Sequence, residues 1–316
     1  MAFSEVYRRQ VALLLTLLPH VAAEDCFALK GGTAINLFVR DMPRLSVDID
    51  LTYLPVSSRE ESLAAIDTAM KRIALRIQKA FPKAVVTPLT LRPEDFVTRI
   101  LARSDDAQVK IEVTPVLRGC VFEPTLRKVS AAVEESFGFA EMRIVSFADL
   151  YAGKIVAALD RRHPRDLFDV RDLLANEGIG RELRQAFIVY LLSPNRPVSE
   201  LLAPTRKRME AEFDRGFVGM TTVPVAVGDL KATRETLIDS IVGGMPEAHR
   251  RFLVSFERGQ PDWRLLGVAG ARDLPAVRWR QRNLDLLDAS VRSALVAKLE
   301  NAPAGAINDT PPSDAS

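Results

Sequence analysis

The sequence predicts a mixed α/β fold followed by a mainly helical C-terminal region, on three observations. Apolar runs of strand length and runs of helical period follow one another through the first 190 residues. A glycine pair, Gly31-Gly32, separates a short apolar run from a helical pattern, which is how a strand–turn–helix is punctuated. Beyond a proline-rich stretch at 193–227, only helical patterns recur. The expected organisation is a core over 1–190, a mainly helical region over 191–300 and a disordered polar tail over 301–316.

The elements follow in order. Tyr7, Val11, Leu14, Leu15 and Leu18 keep helical spacing, so the first segment reads as an amphipathic helix packed on the core. Arg8-Arg9 before the apolar run imitates a signal peptide, but Pro19 and His20 interrupt the run and it is too short to span a bilayer. Residues 26–29 read as a buried strand, 34–39 as the start of a helix, and 45–53 as a second strand beyond Pro43. Leu63, Ile66, Met70, Ile73 and Ile77 share one face of a helix over 60–80, which Pro82 stops. Strands are expected at 84–91, 96–101 and 109–113, the last two joined by a turn at Asp105-Asp106 as an antiparallel pair. Helices over 148–159 and 165–176 meet at 161–164. Farther on, Trp263 and Trp279 read as filling a helical core.

Composition sets bounds. The 316 residues suffice for a sizeable core, and 47% hydrophobic with 27% charged residues is ordinary for a soluble globular protein. A net charge of +2 does not announce a nucleic-acid binder. The basic clusters at 161–162, 206–208 and 278–282 read as solvated faces. Two cysteines make no disulfide framework and suit a reduced, cytoplasmic protein. His20, His163 and His249 are scattered without zinc spacing, and no membrane segment is visible.

Chemistry concentrates at 30–54. Glycines at a strand-to-helix turn let backbone N–H groups approach an anion at a helix N-terminus. Side chains alternate along a strand, so Asp48 and Asp50 share a face while Ile49 and Leu51 share the other. Two such carboxylates repel unless a cation lies between them, and hard oxygens suit Mg²⁺. A phosphate cradle followed by a metal pair is equipment for a nucleoside triphosphate. In the strand at 109–113, Lys110 and Glu112 share a face, and pairing beside Asp48 and Asp50 would bring Glu112 to the same place.

This segment resembles the polymerase-β-like nucleotidyltransferases, and GGTAINLF with PRLSVDIDL is similar to the AbiEii/AbiGii-type nucleotidyltransferase toxins. The resemblance implies a polymerase-β-like core and a two-metal site in which Asp48, Asp50 and Glu112 bind Mg²⁺. It also implies that Glu112 helps to deprotonate the attacking hydroxyl, while Gly31, Gly32 and Thr33 hold the nucleotide. Thr33 follows a second glycine where many of that superfamily place a serine after one. The later block, SFADLYAGKIVAALDRRHPRDLFDVRDLL, resembles the same family's leucine-rich helix with a lysine and its Arg-Asp-x-x-Asp motif. By that resemblance Lys154 neutralises triphosphate charge, while Asp166 and Asp169 position the lysine or the nucleotide. The function implied is transfer of a nucleoside monophosphate from an NTP to a hydroxyl, by the toxin of a type IV-like toxin–antitoxin pair. Its expected partners are an NTP, tRNA or another RNA as acceptor, and a cognate antitoxin. An antibiotic-type small-molecule nucleotidyltransferase and a non-catalytic nucleotide-binding module are the alternatives.

Overall fold

The computed structural model of the chain describes residues 3–93, 95–206, 208–268 and 270–301. The expected disorder from residue 302 onward lies outside them, as does Lys207 of one basic cluster. Helix α1 (Glu5–Ala22) buries Val11, Leu14, Leu15 and Leu18 and continues through Pro19 instead of ending there. Strand β1 (Phe27–Lys30) leads into α2 (Gly31–Ala34), which widens into a π-helical turn at Ile35–Val39. Strand β2 (Asp48–Tyr53) starts three residues later than the apolar pattern suggests. Helix α3 (Arg59–Ala80) opens on a Ser58/Glu61 capping box.

Strands β3 (Val85–Leu91), β4 (Phe96–Ser104) and β5 (Ala107–Arg118) form a meander around the Asp105-Asp106 turn, with β5 much longer than its apolar centre. Next come β6 (Thr125–Lys128), α4 (Ala131–Phe137) and β7 (Glu141–Ile144), which the sequence reading did not resolve. They are short, and every residue of β6 is exposed, so no periodic apolar face marks it. Helices α5 (Phe147–Asp160), α6 (Pro164–Asn176) and α7 (Arg181–Leu191) close the core. The proline-rich stretch carries α8 (Val198–Leu202) and α9 (Glu210–Gly216). Helices α10 (Val227–Ile238), α11 (Glu247–Glu257), α12 (Pro275–Asp285) and α13 (Ala289–Glu300) follow.

The seven strands form one mixed sheet in the order β3-β4-β5-β2-β1-β7-β6. β2 runs antiparallel to β1 and parallel to β5, which puts the strand of Asp48 and Asp50 at the centre. Its two faces differ in chemistry. Leu29, Leu51 and Val113 align across three strands, as do Ile49, Ile111 and Ile100, and all are buried on the face that α1 and α3 cover. On the opposite face the row reads Lys30, Asp50, Glu112 and Arg99, with Asp48 beside Lys110. Burying one face of the strands fixes their register, and the register delivers the polar row.

Two expectations change. Trp263 packs against the rings of Phe252 and Phe256, but Trp279 is 45% exposed on α12. The basic clusters are only partly solvated faces: Arg162 is buried with a left-handed backbone (φ +57°), and Arg280 is buried against Glu257 at 2.8 Å. No helix among the described residues is long and apolar enough to cross a membrane.

Candidate active site

The site is built where β1 turns into α2 and lies against β2. Gly31 has φ +75°, a conformation that glycine adopts without a Cβ penalty, and a Cβ there would lie 2.8 Å from Asp50 Oδ2. A Cβ on Gly32 would lie 2.7 Å from Arg44 Nη2 and 2.8 Å from Ser46 Oγ. Both glycines are therefore set by close approach, one by a carboxylate and the other by a guanidinium. Thr33 is buried, and its hydroxyl donates to the Asp48 carbonyl and to Ser46 Oγ at 3.1 Å. It ties the turn to the start of β2.

Asp48 and Asp50 project from the same face of β2, and the parallel pairing sets Asp50 opposite Glu112 and Asp48 opposite Lys110. Burial raises the Asp48 pKa, and the charges of Asp50 and Glu112 add to this against the pull of Lys110 and Arg165. Glu112 accepts from Lys110 Nζ at 2.8 Å, from Arg99 Nε at 3.1 Å and from Arg99 Nη2. Burial works against the Glu112 charge, but the Lys110 and Arg99 bonds outweigh it and hold its pKa below the ordinary range. The same exchange works in reverse on Lys110, whose pKa Glu112, Asp48 and Asp50 keep raised despite burial. Lys30 donates to Thr114 Oγ1 at 3.0 Å, and burial lowers its pKa against the opposing charges of Asp50 and Glu112.

Two hard carboxylates on one strand face, Asp48 half-buried beside Asp50 and Glu112, are the donor chemistry a divalent cation needs, so Asp48 and Asp50 fit a metal. Among the described residues no three His, Cys, Asp or Glu side chains close into a finished cage. Both oxygens of Glu112 already serve cations of the protein.

Behind the turn lies a buried ionic brace. Lys154 of α5 is 7% exposed; its ammonium donates to Asp166 Oδ1 at 2.9 Å and lies 3.1 Å from Asp169 Oδ2. Asp169 also accepts from Arg44 Nε at 2.8 Å, Arg44 Nη2 at 2.6 Å and Asn36 Nδ2 at 3.0 Å. Asp166 also accepts from Arg161 Nε at 2.7 Å. Burial would raise both aspartates, but Lys154 with Arg161 at Asp166, and Arg44 with Lys154 at Asp169, hold them below the usual carboxylate range. A triphosphate reaching Lys154 would have to displace one of two carboxylates. At the mouth of the site Arg161 is exposed, with Asp50 within reach of its charge, and Arg165 acts likewise on Asp48.

Register thus unites Asp48, Asp50 and Glu112 beside Gly31, while Lys154, Asp166 and Asp169 form a group of their own joined to Gly32 through Arg44. The sequence reading missed Arg44, Lys30, Arg99 and Arg161 as members. Lys30 and Arg99 become visible only with register. Arg44 lies in a loop with no periodicity to aim it.

A sequence-family model described as nucleotidyl transferase AbiEii toxin, type IV TA system, matches residues 12–282. The fold is similar to that of MenT4, a nucleotidyltransferase toxin from Mycobacterium tuberculosis H37Rv. The TM-score is 0.54, with 16% identity over 94% of each chain. No curated protein matches the chain. Because the matched span takes in most of the sequence, the protein belongs to the AbiEii nucleotidyltransferase toxin family of type IV toxin–antitoxin systems.

Proposed function

We propose that the protein transfers a nucleoside monophosphate from an NTP to a hydroxyl of an RNA, tRNA foremost, in a Mg²⁺-dependent reaction that releases pyrophosphate. The observation that carries this is the contact of the glycine turn with the acidic row: Gly31 approaches Asp50 where only a hydrogen fits, and Asp50 stands beside Glu112. A strand, a glycine turn and paired carboxylates meet at one point.

Asp48 and Asp50 would hold the divalent metal, with Glu112 joining by exchanging one of its cations. When bound, Mg²⁺ supplies charge stabilisation to the attacking and leaving oxygens of an in-line displacement. The remaining work belongs to the chain. Backbone N–H groups at Gly31, Gly32 and Thr33 would face the phosphates, while the exposed Arg161 and the half-buried Arg165 would supply cations beside Asp50 and Asp48. Lys154 serves the triphosphate from behind, by fixing Asp166 and Asp169 and through them Arg161 and Arg44. A carboxylate held as low as Glu112 takes a proton poorly, so its part is to bind cations rather than to deprotonate the acceptor. The test is incubation with each labelled NTP, Mg²⁺ and total RNA beside a panel of aminoglycosides. Label on RNA supports the reading; label confined to a small molecule replaces the acceptor, and no label on either refutes transfer.

A further inference from the structure

Away from this site, the end of β5 meets α12 and α7 around a small, partly open cavity of about 10 Å³, room for one water-sized occupant. It is lined by Arg118, Cys120, Tyr190, Ser193 and the first turn of α12 at Ala276 and Val277, among apolar neighbours, and no carboxylate lines it. Arg118 is 7% exposed, and its Nε and Nη1 are buried with no hydrogen-bond partner among the described residues. Ser193 Oγ is buried and unpartnered in the same way. Helix α12 starts on Leu274 with no capping side chain and no acid in its first turn, leaving first-turn N–H groups without an intrahelical carbonyl. The approach is tight, since a Cβ on Gly119 would lie 2.8 Å from Leu274 Cδ2.

The wall thus presents a buried cation, a hydroxyl and a helix N-terminus, and offers no anion to meet them. Burial pushes the Cys120 thiol up to about 12, so it stays neutral. Tyr190 is held neutral in the same way, by burial and by Asp149. Asp149 accepts from the backbone N–H of Val121 and Phe122 and does not line the cavity. Burial first and then Arg59, of its own sign, work against the Arg118 guanidinium charge, and Tyr53 opposes them without cancelling them. A buried guanidinium left uncompensated is strongly destabilising, whereas a helix N-terminus and a guanidinium together are what an anion seeks.

We propose that this cavity is a monatomic-anion site, taking chloride in the cell, which locks α12 and with it the C-terminal helices onto the end of β5. Binding to the folded state alone raises stability with halide concentration by mass action.

The test is thermal unfolding of the full chain in sodium chloride, sodium bromide and sodium gluconate at equal ionic strength, with anomalous diffraction from bromide-grown crystals. The expected result is a Tm roughly 2–4 °C higher in halide than in gluconate, with a bromide peak between Arg118 and the first turn of α12. Arg118→Met should abolish both the peak and the halide dependence, and should melt higher than wild type in gluconate. If that variant does not fold, Ser193→Ala, which leaves the charge in place, should reduce the halide shift. Equal melting in all three salts with no bromide peak would mean a water only and would overturn the site. So would a halide shift unchanged in Arg118→Met, or in Ser193→Ala if that variant alone folds.

Discussion

At the scale of single residues, the account turns on carboxylates whose pKa values are pushed in opposite directions. Asp48 is raised by burial and then by Asp50 and Glu112, so in the metal-free protein its proton is bound more tightly folded than unfolded. The sign follows from linkage: metal-free stability gains as pH falls from the raised pKa towards the ordinary carboxylate value. Asp48→Asn should therefore melt no lower than wild type without metal, and should lose nearly all transfer. Protons compete with the cation at Asp48, so transfer at limiting Mg²⁺ should fall on acidification above the usual aspartate range, and added Mg²⁺ should move that midpoint down. A midpoint indifferent to Mg²⁺ would separate Asp48 from the metal. Gly31→Ala forces a Cβ into a left-handed backbone and against Asp50; it should cost about 1–3 kcal/mol of stability and depress transfer at least tenfold. Activity equal to wild type in a folded Gly31→Ala variant would show that the turn and the acid do not meet as described.

Among elements, the brace that joins α2, α5 and α6 is the part least legible in the sequence. The strand–turn–helix and the shared face of Asp48 and Asp50 could be read from alternation, because burial of one sheet face fixes the other, whereas setting Glu112 beside them needed a strand pairing that alternation alone does not give. Lys154, Asp166 and Asp169 could be picked out by resemblance. Their mutual contacts could not, since helix crossing brings Lys154 onto two carboxylates and a loop carries Arg44 to the third corner. Lys154→Ala would strand charges that are almost fully buried and should destabilise the fold by about 3–5 kcal/mol, read by urea denaturation. A Lys154→Ala protein of wild-type stability that lost only NTP affinity would instead assign the lysine directly to phosphate. The depressed pKa values of Asp166 and Asp169 contribute stability that is full above the unfolded value, near ~4, and is lost as pH falls towards their folded values. Acid unfolding that begins well above that point would have to start elsewhere.

For the whole molecule, the seven-stranded sheet supplies the floor, with the buried faces of α1 and α3 beneath and the charged row above, and α12 stands against β5. The central claim is that this floor presents Asp48 and Asp50 for nucleotidyl transfer, and that the toxin acts through that chemistry. Expression of wild type should arrest bacterial growth, while Asp48→Ala or Asp50→Ala at equal protein level should not; arrest by all three would point to harm through binding. The most direct measurement compares one NTP labelled at the α-phosphate with the same NTP labelled at the γ-phosphate, each incubated with Mg²⁺ and total RNA. The account predicts that the α-label becomes attached to RNA and the γ-label leaves as pyrophosphate, with neither event in the Asp48→Ala or Asp50→Ala proteins. Attachment of the γ-label, or equal transfer by wild type and both variants, would contradict it.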